Sequence, residues 1–318
     1  MFKKNDKDNK NINIAVIRRN GYGDLISVIP VINYLKSIYK NCNMYVFVSE
    51  RNKDLAPYLL PNDNIVVIKN GNKYFQTIKV ALKYRSVGFD IAVAPSTKYI
   101  KLNDIFLKVL NAKKSFSRGK DNALAETDIH VSLANLKLID PKIDKIACTW
   151  FPHIDKSLIP LFNVDLPKKR ILVSVSNNRK SCQLELATTA NILNKLYKKY
   201  NFSVMISCLE SERDKAVKLI KSLDMVAKEY VTVTLGEFLG LISESDIVFS
   251  GEGGFCHLAS CFDTKIIALF GHSNVNGCIN VKRWGVLSKE AICLYDKFDV
   301  NNIETTQISS ALARFLEN

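Results

Sequence analysis

The sequence predicts an α/β protein of two doubly wound halves, each about 150 residues long. Three observations predict it. Short β-branched runs alternate with amphipathic stretches of helical period, the alternation lapses once at residues 151–169 and then restarts, and 318 residues exceed one average domain.

The elements follow in order. Residues 12–17 form a buried strand, β-branched and bounded by charge, after a polar Lys- and Asn-rich tail (1–11) whose composition predicts disorder. A turn at Asn20-Gly21-Tyr22-Gly23 leads into an amphipathic stretch with Leu25, Ile29, Ile32, Leu35 and Ile38 on one side, interrupted by Pro30. Strands are predicted at 44–48, 65–68 and 90–94, with helices at 74–84 and 102–110, so the sheet is parallel with crossover helices. Prolines 152, 160 and 167 and the run Lys168-Lys169-Arg170 mark a linker, which places the boundary between halves 12–155 and 156–318. The second cycle has strands at 171–175, 204–208, 246–249 and 266–270 and helices at 184–197, 210–223, 235–242 and 254–261. A closing helix at 304–316 is a candidate to pack back on the first half.

Composition narrows the function. With 47% hydrophobic and 24% charged residues, 13 Gly and 8 Pro, the chain is neither disordered nor collagen-like. Forty-five Lys and Arg against 31 Asp and Glu give a formal charge of +14, so an anionic partner is expected: nucleic acid, a phospholipid surface or a phosphorylated substrate. Nucleic acid is set aside, because no aromatic-interleaved basic stripe or DNA-binding motif is present. The eight cysteines, at 42, 148, 182, 208, 256, 261, 278 and 293, form no C-x-x-C pair and no zinc signature. The start lacks the apolar core of a secretory signal, and no run reaches the roughly 18 apolar residues of a membrane span. A cytoplasmic protein with reduced thiols is therefore expected.

Three constellations could carry chemistry. The segment Arg18-Arg19-Asn20-Gly21-Tyr22-Gly23-Asp24 lies at the carboxyl end of the first strand, where open α/β sheets bind ligands. It is not a dinucleotide fingerprint, since Ile26 stands where the third glycine belongs. Asp24 is either the N-cap of the next helix or a catalytic carboxylate. Ser250-Gly251-Glu252-Gly253-Gly254-Phe255-Cys256-His257 is a glycine-rich strand-to-helix turn whose amides suit a phosphate or pyrophosphate. Glu252 there would sit beside hydroxyls, because it repels phosphate, and His257 is either core or ligand. Ser174, Ser176, Asn177, Arg179 and Lys180 follow the first strand of the second half, where hydroxyls, amides and cations can neutralise a diphosphate.

The order of these motifs resembles the heptosyltransferase family of glycosyltransferases (glycosyltransferase family 9). The likeness rests on Gly21-x-Gly23-Asp24 with Pro30, on Leu235-Gly236-Glu237-Phe238-x-x-Leu241-Ile242 running to Asp246-Ile247-Val248, and on Gly251-Glu252-Gly253-Gly254-x-x-His257-Leu258-Ala259 with Ile267-Ala268-Leu269-Phe270-Gly271. Resemblance implies the GT-B fold, two Rossmann-like domains facing across a cleft, the first binding acceptor and the second nucleotide sugar. It implies metal-independent, cofactor-free inverting transfer, most often of heptose from ADP-heptose to an inner-core lipopolysaccharide acceptor, with peripheral contact at the inner membrane surface.

The same resemblance makes Asp24 the general base, with Arg18, Asn20, Gly21 and Gly23 in the acceptor-side loop. Gly253, Gly254, Ser174, Ser176, Lys180 and His257 would serve the donor, Glu252 its sugar hydroxyls, and Glu210 or Glu212 its ribose. Several positions depart from the family pattern. Glu252-Gly253-Gly254 replaces Asp-Thr-Gly, Val175-Ser176-Asn177 replaces His-Pro-Gly, Ser181-Cys182 replaces a tryptophan, and His272 replaces a proline. The longer Glu arm shifts a hydroxyl contact by about 1 Å, which is enough to change the preferred sugar. Another nucleotide sugar, a protein or capsule acceptor, or a non-catalytic binding module are the alternatives.

Overall fold

The computed structural model describes residues 11–120, 129–271 and 277–317. The expectations placed on the tail at 1–10 and on His272 lie outside those residues, as does the side chain of Cys278. The chain divides into two compact units, 1–152 and 153–318.

In the first unit the order is β1 (Ile12–Ile17), α1 (Tyr22–Ile26), α2 (Ile29–Ile38), β2 (Cys42–Ser49), α3 (Ala56–Leu59), β3 (Asn64–Ile68), α4 (Lys73–Tyr84), β4 (Ile91–Ala94), α5 (Lys101–Leu110), β5 (Lys114–Ser117) and α6 (Val131–Lys137). The five strands are parallel in the order β3-β2-β1-β4-β5. The chain winds outward from β1 to β3 and then returns to β4 on the other side, so the topological switch lies between β1 and β4. The amphipathic stretch after β1 is two helices, not one. It breaks at Ser27-Val28, and Pro30, which has no N–H to donate, takes up the first turn of α2.

The core of this unit is aromatic. Phe47 packs edge to face on Phe106 with centroids 4.9 Å apart, and Tyr45 on Phe89 at 5.2 Å, beneath Ala15, Ile17, Ala92 and Ala94. Each fully buried Phe contributes about 1.5–3 kcal/mol. Helix α4 starts at Asn72, whose side chain accepts from the amides of Tyr74 and Phe75, both at 3.1 Å.

The second unit runs β6 (Arg170–Ser174), α7 (Leu186–Tyr197), β7 (Ser203–Cys208), α8 (Arg213–Lys221), β8 (Ala227–Val231), α9 (Leu235–Ser243), β9 (Ile247–Gly251), α10 (Gly254–Ala259), β10 (Lys265–Phe270), α11 (Gly277–Trp284), β11 (Ala291–Tyr295) and α12 (Thr305–Glu317). Its six parallel strands lie in the order β11-β10-β9-β6-β7-β8, with the switch between β9 and β6. The proline-bearing segment expected as a linker packs on this unit. Arg170, buried at its end, donates to the carbonyls of Leu166 and Val164 and pairs with Glu244 at 2.9 Å. Closing helix α12, a candidate to return to the first half, buries Ile308, Leu312, Phe315 and Leu316 in the core of its own unit. Among the described residues no helix is long and apolar enough to cross a membrane.

Candidate functional site

Each sheet brings loops together at its switch point. In the first unit Arg18 follows β1 and is 5% exposed. Its guanidinium donates to the carbonyl of Pro95, just beyond β4, at 2.7 Å, and pairs with the Asp24 carboxylate. Burial lowers the pKa of Arg18 and the charge of Asp24 opposes that shift. The N-cap of α1 is Gly21, and no side chain caps this helix. Asp24 is therefore not serving as the cap that the sequence also allowed; it lies in the first turn, 27% exposed, held on one oxygen by Arg18.

Two further residues shape this loop: Asn52, which sequence reasoning did not select, and Arg19, which lay in the first constellation without a role of its own. Buried Asn52 donates to the carbonyl of Arg18 at 3.0 Å while its oxygen accepts from the amide of Ser49 at 2.9 Å. Arg19 reaches Thr77 of α4 at 3.2 Å and Asn103 of α5 at 3.3 Å, and burial lowers its pKa. A third, Arg118, is buried beside the switch and donates to the carbonyl of Ser96 at 2.8 Å. Asn52 and Arg118 sit in no local motif, so only the folded chain shows them. Asn20 is exposed, and Gly21 and Gly23 are partly buried; a Cβ on Gly21 would meet nothing within 4 Å.

In the second unit the loops after β6 and β9 meet. Asn177 donates to the carbonyl of Glu252 at 2.9 Å and accepts from the amide of Arg179 at 2.9 Å. That turn delivers the Arg179 guanidinium to the Glu252 carboxylate, while His257 lies 3.7 Å from the other oxygen. Burial alone would raise the pKa of Glu252, yet the neighbouring His257 ring and the Arg179 charge outweigh it and hold the carboxyl below its ordinary 4.5. Ser174 donates to the carbonyl of Ser176 at 2.8 Å, and the Ser176 hydroxyl donates to Glu212.

Of the expected donor residues, Ser174, Ser176, Glu252, Gly253, Gly254 and His257 gather at this switch. Lys180 is exposed in the short turn Lys180–Cys182, and it is its neighbour Arg179 that reaches the glycine loop. Within the acidic pair, Glu212 contacts Ser176, whereas Glu210 is exposed and lies 3.6 Å from Arg213.

The glycines of the loop differ in cause. A Cβ on Gly251 would sit 1.6 Å from the Cys182 carbonyl oxygen, so packing alone demands glycine there. On Gly254 a Cβ would meet nothing, and on Gly253 nothing nearer than 3.7 Å. Open space at both leaves their backbone accessible to a ligand. Cys182 and Cys256 line the underside, donating to the carbonyls of Gly271 and Gly253, and burial pushes both thiols up. They serve as small packed side chains, and all seven cysteines with described side chains are free. Among the described residues no group of three or more His, Cys, Asp or Glu side chains is placed to hold a metal ion.

No family model and no curated protein sequence matches this chain. Solved structures do. A glycosyl transferase family 9 protein from Veillonella parvula is 13% identical, with 98% of each chain covered and a TM-score of 0.75. The ADP-heptose lipopolysaccharide heptosyltransferase II of E. coli is 11% identical over 96% of this chain and 99% of its own, with a TM-score of 0.70. E. coli heptosyltransferase WaaC with ADP is 11% identical over 96% and 100%, also at 0.70. The fold is thus that of these two-sheet α/β proteins from end to end.

Proposed function

We propose that this chain is an inverting glycosyltransferase that moves a sugar from a nucleoside diphosphate to a hydroxyl of an anionic, lipid-borne acceptor. One observation carries the reading. In a fold shared over the whole chain with glycosyltransferases, a carboxylate stands at one sheet's switch point and a cation-bearing glycine loop at the other's.

Asp24 takes the acceptor proton as that oxygen attacks the anomeric carbon opposite the leaving diphosphate, so configuration inverts. Arg18 contributes by pairing with the carboxylate and fixing its position. Charge growing on the leaving diphosphate is met by Arg179, the amides of Gly253 and Gly254, and Lys180. Arg19, partly exposed beside the first switch point where Arg18 and Arg118 are buried against backbone carbonyls, suits an acceptor bearing phosphate or carboxylate groups. The donor we favour is ADP-heptose and the acceptor an inner-core lipopolysaccharide at the cytoplasmic membrane face, by likeness to the E. coli proteins above.

A second reading, a donor sugar other than heptose, is favoured by Glu252. This longer carboxylate is engaged by both Arg179 and His257 and is not simply open to sugar hydroxyls.

Calorimetric titration of ADP, UDP and GDP tests the proposal. Selective ADP binding that weakens about tenfold or more in Arg179→Ala is expected, since a charge-assisted hydrogen bond contributes about 1.5–3 kcal/mol. UDP or GDP selectivity would keep the reaction class and replace the donor. Failure of all three nucleotides to bind would overturn the transferase reading.

A further inference from the structure

Helix α4 is anchored by one side only. Thr77 and Ala81 are buried, and Val80 and Tyr84 join the aromatic core. On the other side Phe75 is 62% exposed and Leu82 55%, while Tyr74, in the first turn, is 50% exposed. Phe75, Lys79 and Leu82 share a stripe at the i, i+4, i+7 spacing, and Lys83 adjoins it. The fold gains nothing from large apolar side chains held in water there.

The charge of the chain segment that carries this stripe has one sign. Residues 64–89 contain five Lys or Arg, at 69, 73, 79, 83 and 85, and no Asp or Glu. A second copy of this face would meet it with like charge, which disfavours self-association. Apolar and aromatic groups in the centre of a helix face with lysines around them match the interfacial region of an anionic bilayer, where rings enter the headgroup boundary and ammonium groups meet phosphate.

We propose that the outer face of α4 docks this protein on an anionic phospholipid surface. The inference deepens the reading of a lipid-borne acceptor and rests on it only for which membrane is meant. Inner-face Thr77 accepts the hydrogen bond from Arg19, so the docking helix also braces the loop that carries Asp24.

The experiment is co-sedimentation of the full chain with vesicles of phosphatidylcholine containing phosphatidylglycerol, and with phosphatidylcholine alone. Two double variants are compared with the unaltered chain: F75S with L82S, and K79E with K83E. Lys218→Glu with Lys221→Glu, on exposed positions of α8, removes the same charge elsewhere. Unchanged far-UV circular dichroism and thermal midpoint certify each fold. Binding to the anionic vesicles only, falling about tenfold or more in both α4 variants and little in the α8 variant, is expected. Equal losses in the α4 and α8 charge variants would overturn the assignment, leaving net charge as the cause. So would α4 variants that bind vesicles normally, including a case where F75S with L82S instead dissolves a dimer. Vesicle binding needs no nucleotide, so its outcome is separate from that of the donor titration.

Discussion

Asp24 and Arg18 set a test in which stability and turnover separate. Changing Asp24 to Asn keeps the shape and removes the base, so transfer is expected to fall about 10²–10⁴-fold while ADP binding persists. The same change leaves the buried Arg18 guanidinium without its counter-charge; because Asp24 is partly exposed, the expected cost is about 1–3 kcal/mol, read as a lower thermal midpoint. Glu252 sets a second test. Its folded pKa lies below its unfolded one, so the native state gains stability above about pH 4.5 and loses it as pH falls through the depressed value. The gap in thermal midpoint between the unaltered chain and Glu252→Gln should be widest above pH 5 and close in acid. A gap that stays constant from pH 3 to 7 would contradict the ion pairing. These two carboxylates were legible in the sequence because both sit beside glycines at strand ends. Arg179 in place of Lys180 as the residue that reaches the loop was not legible. Its aim depends on Asn177 bridging to the Glu252 carbonyl 75 residues away, a contact no local pattern encodes.

At the scale of elements, two glycines three residues apart should respond oppositely. Gly251→Ala would drive a Cβ into the Cys182 carbonyl, so the β6 and β9 loops must part; a loss of several kcal/mol, or failure to fold, is expected. Gly254→Ala, in open space in the first turn of α10, should hold or raise stability by about 0.5 kcal/mol, yet weaken ADP where the ligand needs that space. Thermal melts with nucleotide titration of both variants check the pair; equal behaviour would refute a ligand role for the open backbone. The legibility of strands follows from their place in the sheet. Central β1, β4, β6, β7 and β9 are mostly buried and read as largely apolar runs. Strands β5 and β8 do not read that way. Each is a sheet edge, mostly exposed or half-buried, and the sequences Lys114-Ser115-Phe116-Ser117 and Ala227-Lys228-Glu229-Tyr230-Val231 carry the charge that edges use against unwanted pairing. The break between α1 and α2 was foreshadowed by Pro30 alone, because the apolar period continues through it.

For the whole molecule, each unit has its own core, and the residues proposed to hold the donor all belong to the second. A ligand stabilises the unit whose native state binds it, by about 2.7 kcal/mol at a hundredfold excess over its dissociation constant. For a unit of this size that is a rise of about 5–10 °C. Scanning calorimetry with saturating ADP should therefore raise the transition of the 153–318 unit and leave that of the 1–152 unit nearly unmoved. Hydrogen exchange can assign the transitions through amides of β7 and β4. A rise confined to the first unit would put the nucleotide at the Arg18 and Asp24 loop and reverse the roles of the two halves. Salt adds a second coordinate, because the +14 charge makes weak anion binding general and ionic-strength dependent. A rise that persists at 0.5 M salt reflects the built loop with its amides and the Arg179 fork, whereas one that vanishes there reflects the basic surface alone.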